Sequence, residues 1–174
     1  DGEKGATASA TEFGLNTDFG IPDINGKNTS VMKVNHIGSN ANFGYLMNHG
    51  IAPNGGGKKV NQYSIVFDVL FTGGGNGWAS LLNMDGVGDG DVFWRRNDGG
   101  LGQGGNGYEP NNPEVTVNKG EWHRIVLAVD LAQGLYEKYV DGIYHSSQEN
   151  SGLDGRQSMR SSSWLFNDND GENG

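Results

Sequence analysis

Three aspartates fall within seven residues in the run Met84-Asp85-Gly86-Val87-Gly88-Asp89-Gly90-Asp91. Asp85, Asp89 and Asp91 are hard oxygen donors, and calcium takes six to eight such oxygens from carboxylates, backbone carbonyls and water. The interleaved glycines let a loop fold tightly enough for neighbouring donors to converge. The spacing is not that of an EF-hand loop, and solvated turn acids are the competing reading. Asp168, Asp170 and Glu172 form a second group of the same kind. In either group the carboxylates repel one another, so a bound cation would steady the loop by neutralising them.

The aromatic residues suggest a second chemistry. Sugars present apolar C–H faces edged by hydroxyls, so their sites pair an aromatic platform with a few orienting polar groups. Neighbours on a strand point to opposite faces. With Phe93 packed inward, Trp94 is expected to face out or into a groove beside Arg96. Tyr108, in the glycine-rich stretch that follows, and Asn83 complete a candidate saccharide surface. Trp78, Trp122 and Trp164 are expected in the core.

Acid–base machinery is harder to find. None of the four histidines (His36, His49, His123, His145) has a second at metal-ligand spacing, and no HExxH run occurs. Sugar hydrolysis needs two carboxylates about 5–5.5 Å or about 6.5–9.5 Å apart, and no Glu-x-Asp-x-x-Glu run supplies them. An unfamiliar pair, Asp89 with Asp91 or with Glu121, is the enzyme alternative. Gly102-Gln103-Gly104-Gly105-Asn106-Gly107 matches GxGxxG literally, but Tyr108-Glu109-Pro110 cannot open the helix a dinucleotide site needs.

Elements that position these groups must be strands. Of 174 residues, 31 are glycine and 20 asparagine, both of which disfavour helix interiors. Apolar runs alternate with Gly/Asn clusters, predicting strands over 43–48, 62–71, 77–83, 91–96, 114–117, 121–130, 135–140, 143–147 and 162–166. In 62–71, Tyr63, Ile65, Phe67, Val69 and Phe71 share one face. Asp141-Gly142 between two strands predicts a type I′ hairpin, which needs positive φ at both central residues. Many short strands with such turns imply one antiparallel β-sandwich domain spanning 1–174.

The formal charge of −9 and the scattered lysines and arginines argue against nucleic acid and anionic membranes as partners. The longest apolar run, Ser64 to Phe71, is too short to span a bilayer. Without cysteine there is neither a disulfide framework nor a thiolate metal site.

Several segments, in order, resemble the laminin-G-like jelly-roll domains of the concanavalin A-like lectin/glucanase superfamily. They run from Val60–Val69 through Trp78–Asn83, Asp89–Phe93 and Gly99–Gly102 to Gly120-Glu121-Trp122-His123-Arg124 and Tyr139-Val140-Asp141-Gly142. The resemblance implies two curved antiparallel sheets, saccharide bound on the concave face or at a rim, and a frequent calcium ion. It places Trp122 and His123 in structural positions. Family members close with a further strand after the segment matching Trp164 to Glu172, so the parent chain is expected to continue or the edge to be supplied otherwise. The resulting expectation is a non-catalytic carbohydrate-binding module, calcium-stabilised and tethered to other domains of an exported bacterial polysaccharide-active or adhesive protein, secreted or at the cell surface. A jelly-roll hydrolase or lyase and a structural protein-interaction domain are the alternatives.

Overall fold

Strict alternation makes Gln62–Leu70 a strand with two different faces. Tyr63, Ile65, Phe67 and Val69 pack into the interior, while Gln62, Ser64, Val66 and Asp68 meet solvent. The same logic runs through Trp122–Asp130, where Ile125, Leu127 and Val129 are buried between outward Arg124, Val126 and Ala128. These strands belong to a computed structural model that describes residues 3–4, 11–34, 45–73, 77–84, 92–95, 97–103, 108–110, 112–148 and 151–166.

In chain order the strands are β1 (Glu3–Lys4), β2 (Glu12–Leu15), β3 (Ser30–Lys33), β4 (Tyr45–Asn48), β5 (Gln62–Leu70) and β6 (Trp78–Asn83). They continue as β7 (Val92–Arg95), β8 (Leu101–Gly102), β9 (Trp122–Asp130), β10 (Leu135–Val140), β11 (Ile143–Ser147) and β12 (Ser162–Leu165). β11-β10-β9-β5 form one sheet, β1-β4-β12-β6-β7-β8 a second, and β2-β3 a small ribbon. All pairings are antiparallel. The two large sheets share one core, with Ile125, Leu127 and Tyr136 from the first and Leu81, Leu82, Val92 and Trp94 from the second. The protein is therefore all-β, with a sandwich of antiparallel sheets. Among the described residues no helix is long and apolar enough to cross a membrane.

The hairpin between β10 and β11 turns as expected: φ is 52° at Asp141 and 83° at Gly142. Asp141 also braces β9, its carboxylate accepting the Arg124 N–H at 2.8 Å and the His123 Nδ1–H at 2.7 Å. The Asn118 N–H donates to His123 Nε2 at 3.0 Å, which fixes the neutral tautomer and occupies the nitrogen a general base would use.

Several expectations need correction. Residues 114–117 form no strand, although Val115 and Val117 are buried in the core as irregular chain. β1, β2, β3 and β8 arise where no strand is expected. Trp94 turns inward rather than out. It is 2% exposed, its ring stacks on Phe71 with centroids 4.1 Å apart, and its Nε1–H donates to the Val117 carbonyl at 2.9 Å. Its ring faces are thus unavailable as a saccharide platform. The surrounding chain is tight: a Cβ at Gly99, whose φ is +75°, would stand 2.7 Å from the Val117 oxygen, and one at Gly100 2.5 Å from the Tyr108 oxygen. Trp122 lies on the outward side of β9, its Nε1–H bonded to the Pro22 carbonyl at 2.8 Å.

Candidate functional site

The inward turn of Trp94 decides what the other side of its sheet presents. Trp94 is the cross-strand partner of Ala79, and both lie in the core. The adjacent pair, Trp78 with Arg95, therefore lies on the outward face, and so does Ser80. Register then shifts between Ser80 and Leu82. This bulge puts both Leu81 and Leu82 inside and brings Asn83 out beside its partner Trp164. One sheet face thus carries two indoles, a hydroxyl, an amide and a guanidinium.

Two of these polar groups are unusual. The Trp78 Nε1 and Ser80 Oγ atoms are shielded from solvent and have no hydrogen-bond partner among the described residues. Ser80 is 4% and Asn83 1% exposed, although both point away from the hydrocarbon core. A shielded donor without an acceptor costs about 1–3 kcal/mol. Most buried polar groups in native proteins avoid that cost; among the described residues His145 Nε2 is the other side-chain atom that does not.

Arg95 is the anchored cation of this face. Its Nε–H donates to Asp98 Oδ1 at 2.7 Å and its Nη2 approaches Glu109 Oε1 at 2.5 Å. The guanidinium lies 4.8 Å above the Tyr108 ring, itself buried. Hydrogen bonding to Asp98 raises the Arg95 pKa further above its ordinary value. Burial works to raise the Asp98 carboxyl, but the Arg95 guanidinium and the Gly100 N–H together hold it below the usual carboxylate range. An acid held ionised in this way is a poor proton donor.

The candidates chosen from the sequence therefore divide. Asn83 lies on the outward face, Tyr108 sits under Arg95, and Trp94 is in the core. Arg96 lies outside the described residues, as do Asp85, Asp89 and Asp91 and the second acidic group. Among the described residues no three histidine, cysteine, aspartate or glutamate side chains are grouped to hold a metal. Trp78 and Trp164, expected in the core, lie on the outward face, and Arg95 joins them there. The alternation of Trp78 and Ser80 against Ala79 and Leu81 was the available signal.

The outward face of the four-stranded sheet is a different surface. Val66, Val126, Tyr139 and Tyr144 form one row across β5, β9, β10 and β11. The two tyrosines meet edge to face at 5.7 Å. Beside this row Gln62, Ser64, Ala128, Asp130, Leu135 and Glu137 border a shallow depression of about 280 Å³. Comparison with protein-family models, curated proteins and solved structures finds no match to this chain.

Proposed function

We propose that the protein is a non-catalytic carbohydrate-binding domain of the jelly-roll, concanavalin A-like kind, and that it holds saccharide on the outward face of its six-stranded sheet. The observation that supports this reading is the outward placement of Trp78, Ser80, Asn83 and Trp164 on one sheet face, with Trp78 Nε1–H and Ser80 Oγ–H lacking a partner among the described residues. Indole faces suit the C–H surface of a pyranose, and the fixed donors set its orientation. Arg95, locked by Asp98 and Glu109, adds a rigid border. A shallow site of this kind binds weakly, in the micromolar to millimolar range, and gains strength from tethering to neighbouring domains. A secreted or cell-surface setting belongs to the same reading. So does a calcium ion at Asp85, Asp89 and Asp91, for which a higher melting temperature in calcium than in chelator is the measurement.

Affinity electrophoresis of the folded, calcium-supplied protein through gels containing plant and algal polysaccharides tests the proposal. Retardation by at least one polysaccharide, lost on Trp164→Ala, supports it. Unretarded migration in every gel rejects it.

The row of Val66, Val126, Tyr139 and Tyr144 favours a second reading, a structural protein-interaction domain, because Val66 is 56% exposed on the edge strand β5 and continues an apolar row across the sheet. The readings part on substitution. Val66→Glu disrupts a protein contact there and leaves saccharide retention intact.

A further inference from the structure

We propose that the outward face of the four-stranded sheet docks an extended protein segment that carries a lysine or arginine close to an apolar side chain, with the cation seated in the depression between Asp130 and Glu137. This rests on the protein-interaction reading of that face and is independent of the saccharide reading of the other sheet. Three adjacent rows build the place. Gln62, Asp130 and Leu135 form the first, Ser64, Ala128 and Glu137 the second, and Val66, Val126, Tyr139 and Tyr144 the third. The second row is low where Ser64 meets Ala128, with longer side chains on both sides, and this step opens the hollow of about 280 Å³.

Charge selects the occupant. Asp130 and Glu137 are diagonal neighbours on β9 and β10, about 7–8 Å apart. Neutral donors hold both: Gln62 Nε2–H and the Gln133 N–H donate to Asp130 at 2.7 and 3.1 Å, and the Tyr139 hydroxyl donates to Glu137 at 2.6 Å. Neither carboxylate has a cationic partner among the described residues. Arg124, one row beyond the valines, is closed onto Asp68 by two bonds of 2.7 Å. A cation entering the hollow thus meets two fixed carboxylates, with Ala128 and Leu135 against its methylene stem. An acidic segment is repelled there. The valine row lies two residues further along the strands, about 6.5–7 Å away. Side chains i and i+2 of an extended segment have the same spacing, so a segment lying along β9 puts an apolar residue on Val126 and a cation in the hollow together. Amino sugars also carry ammonium groups, but Val66 and Val126 offer a pyranose no hydrogen-bond partner.

Amide chemical-shift titration of the isotope-labelled protein with short synthetic peptides of equal length tests this. One peptide carries valine and lysine two residues apart, a second has glutamine for the lysine, a third glutamate, and glucosamine oligomers form the non-protein arm. Expected are shifts on β5, β9, β10 and β11, and an affinity at least about threefold higher for the lysine peptide than for the glutamine one at low salt, with the difference gone in about 1 M salt. Glu137→Gln removes that difference. Glu114→Gln, the same change of net charge on an exposed loop, keeps it. Equal binding of the lysine and glutamine peptides overturns the cation seat and leaves the protein-interaction reading standing. A difference that Glu114→Gln reduces as much as Glu137→Gln belongs to the overall charge and overturns the seat as well. Tighter binding of the glucosamine oligomers than of the lysine peptide at these amides overturns the protein segment as occupant. A titration in which no peptide shifts these strands overturns both the seat and the protein-interaction reading.

Discussion

Trp94 lies flat on Phe71, with ring planes 8° from parallel and centroids 4.1 Å apart, and its Nε1–H ties the sheet to the Val117 carbonyl. The stacked pair sits between the sheets where an extended loop substitutes for a strand. Replacing Trp94 with alanine removes a large core side chain and is expected to cost about 3–5 kcal/mol. Trp94→Phe costs about 1–3 kcal/mol through the orphaned Val117 carbonyl alone. Urea unfolding followed by fluorescence measures both.

Trp78 behaves in the opposite way. Its Nε1–H has no partner among the described residues, so Trp78→Phe deletes a donor that the fold leaves unsatisfied. Stability is expected to stay level or rise by up to about 1 kcal/mol. A fall as large as that of Trp94→Phe in the same denaturant series would show that the indole N–H is structurally committed.

Lys138 is buried on the inner face of β10 with its Nζ donating to Gln148 Oε1 at 2.9 Å, and burial lowers its pKa to about 8. A lysine in the unfolded chain titrates near 10.4. Between these values the unfolded state holds more protons, so stability rises with pH across roughly pH 8 to 10.4, by at most about 1.4 kcal/mol per unit. Below pH 8 the contribution is gone. Lys138→Met is expected to flatten the slope relative to the parent chain and to raise stability at pH 7. Chemical denaturation at several pH values compares the two.

His145 shifts in the acid range. Burial first, and the nearby Lys138 charge second, lower its pKa to about 4 from the ordinary 6.5. The neutral ring's full contribution is present above about pH 6.5 and is lost as pH falls toward 4. His145→Gln is expected to flatten this acid limb, read from melting temperatures between pH 4 and 7.

Asp154 latches two loops. Its carboxylate accepts the backbone N–H groups of Lys58 and Lys59 and the Asn61 side-chain amide, each within 3.0 Å. The loop it closes contains Gly55, Gly56 and Gly57, all at positive φ. Asp154→Ala is expected to release that loop and to speed tryptic cleavage after Lys58 or Lys59, followed by mass spectrometry. An unchanged cleavage rate would locate the constraint elsewhere.

The strands most easily read from sequence are those whose inner and outer faces differ most. β5, β9 and β10 alternate cleanly, and Asp141-Gly142 supplies the turn chemistry that joins β10 to β11. β2 and β3 escaped because Phe13 and Met32 are exposed rather than buried and so announce no core face. The strand phase expected for β7 puts Trp94 outward, and a single step in that phase is enough to turn it into the core. The surface was missed for a related reason. Leu81 and Leu82 are both interior, which strict alternation forbids and only a bulge allows. Without the bulge in view, Asn83 could not be grouped with Trp78 and Ser80.

Leu81 is therefore the extra residue of β6. Deleting it would restore plain alternation, with Ser80 still opposite Phe93 and Leu82 still opposite Val92. The outward groups would keep their places, and the loss would fall on the interior, which would miss the fully buried Leu81 side chain. A single codon lost there would therefore straighten the strand and hollow the core without re-aiming Trp78 or Ser80.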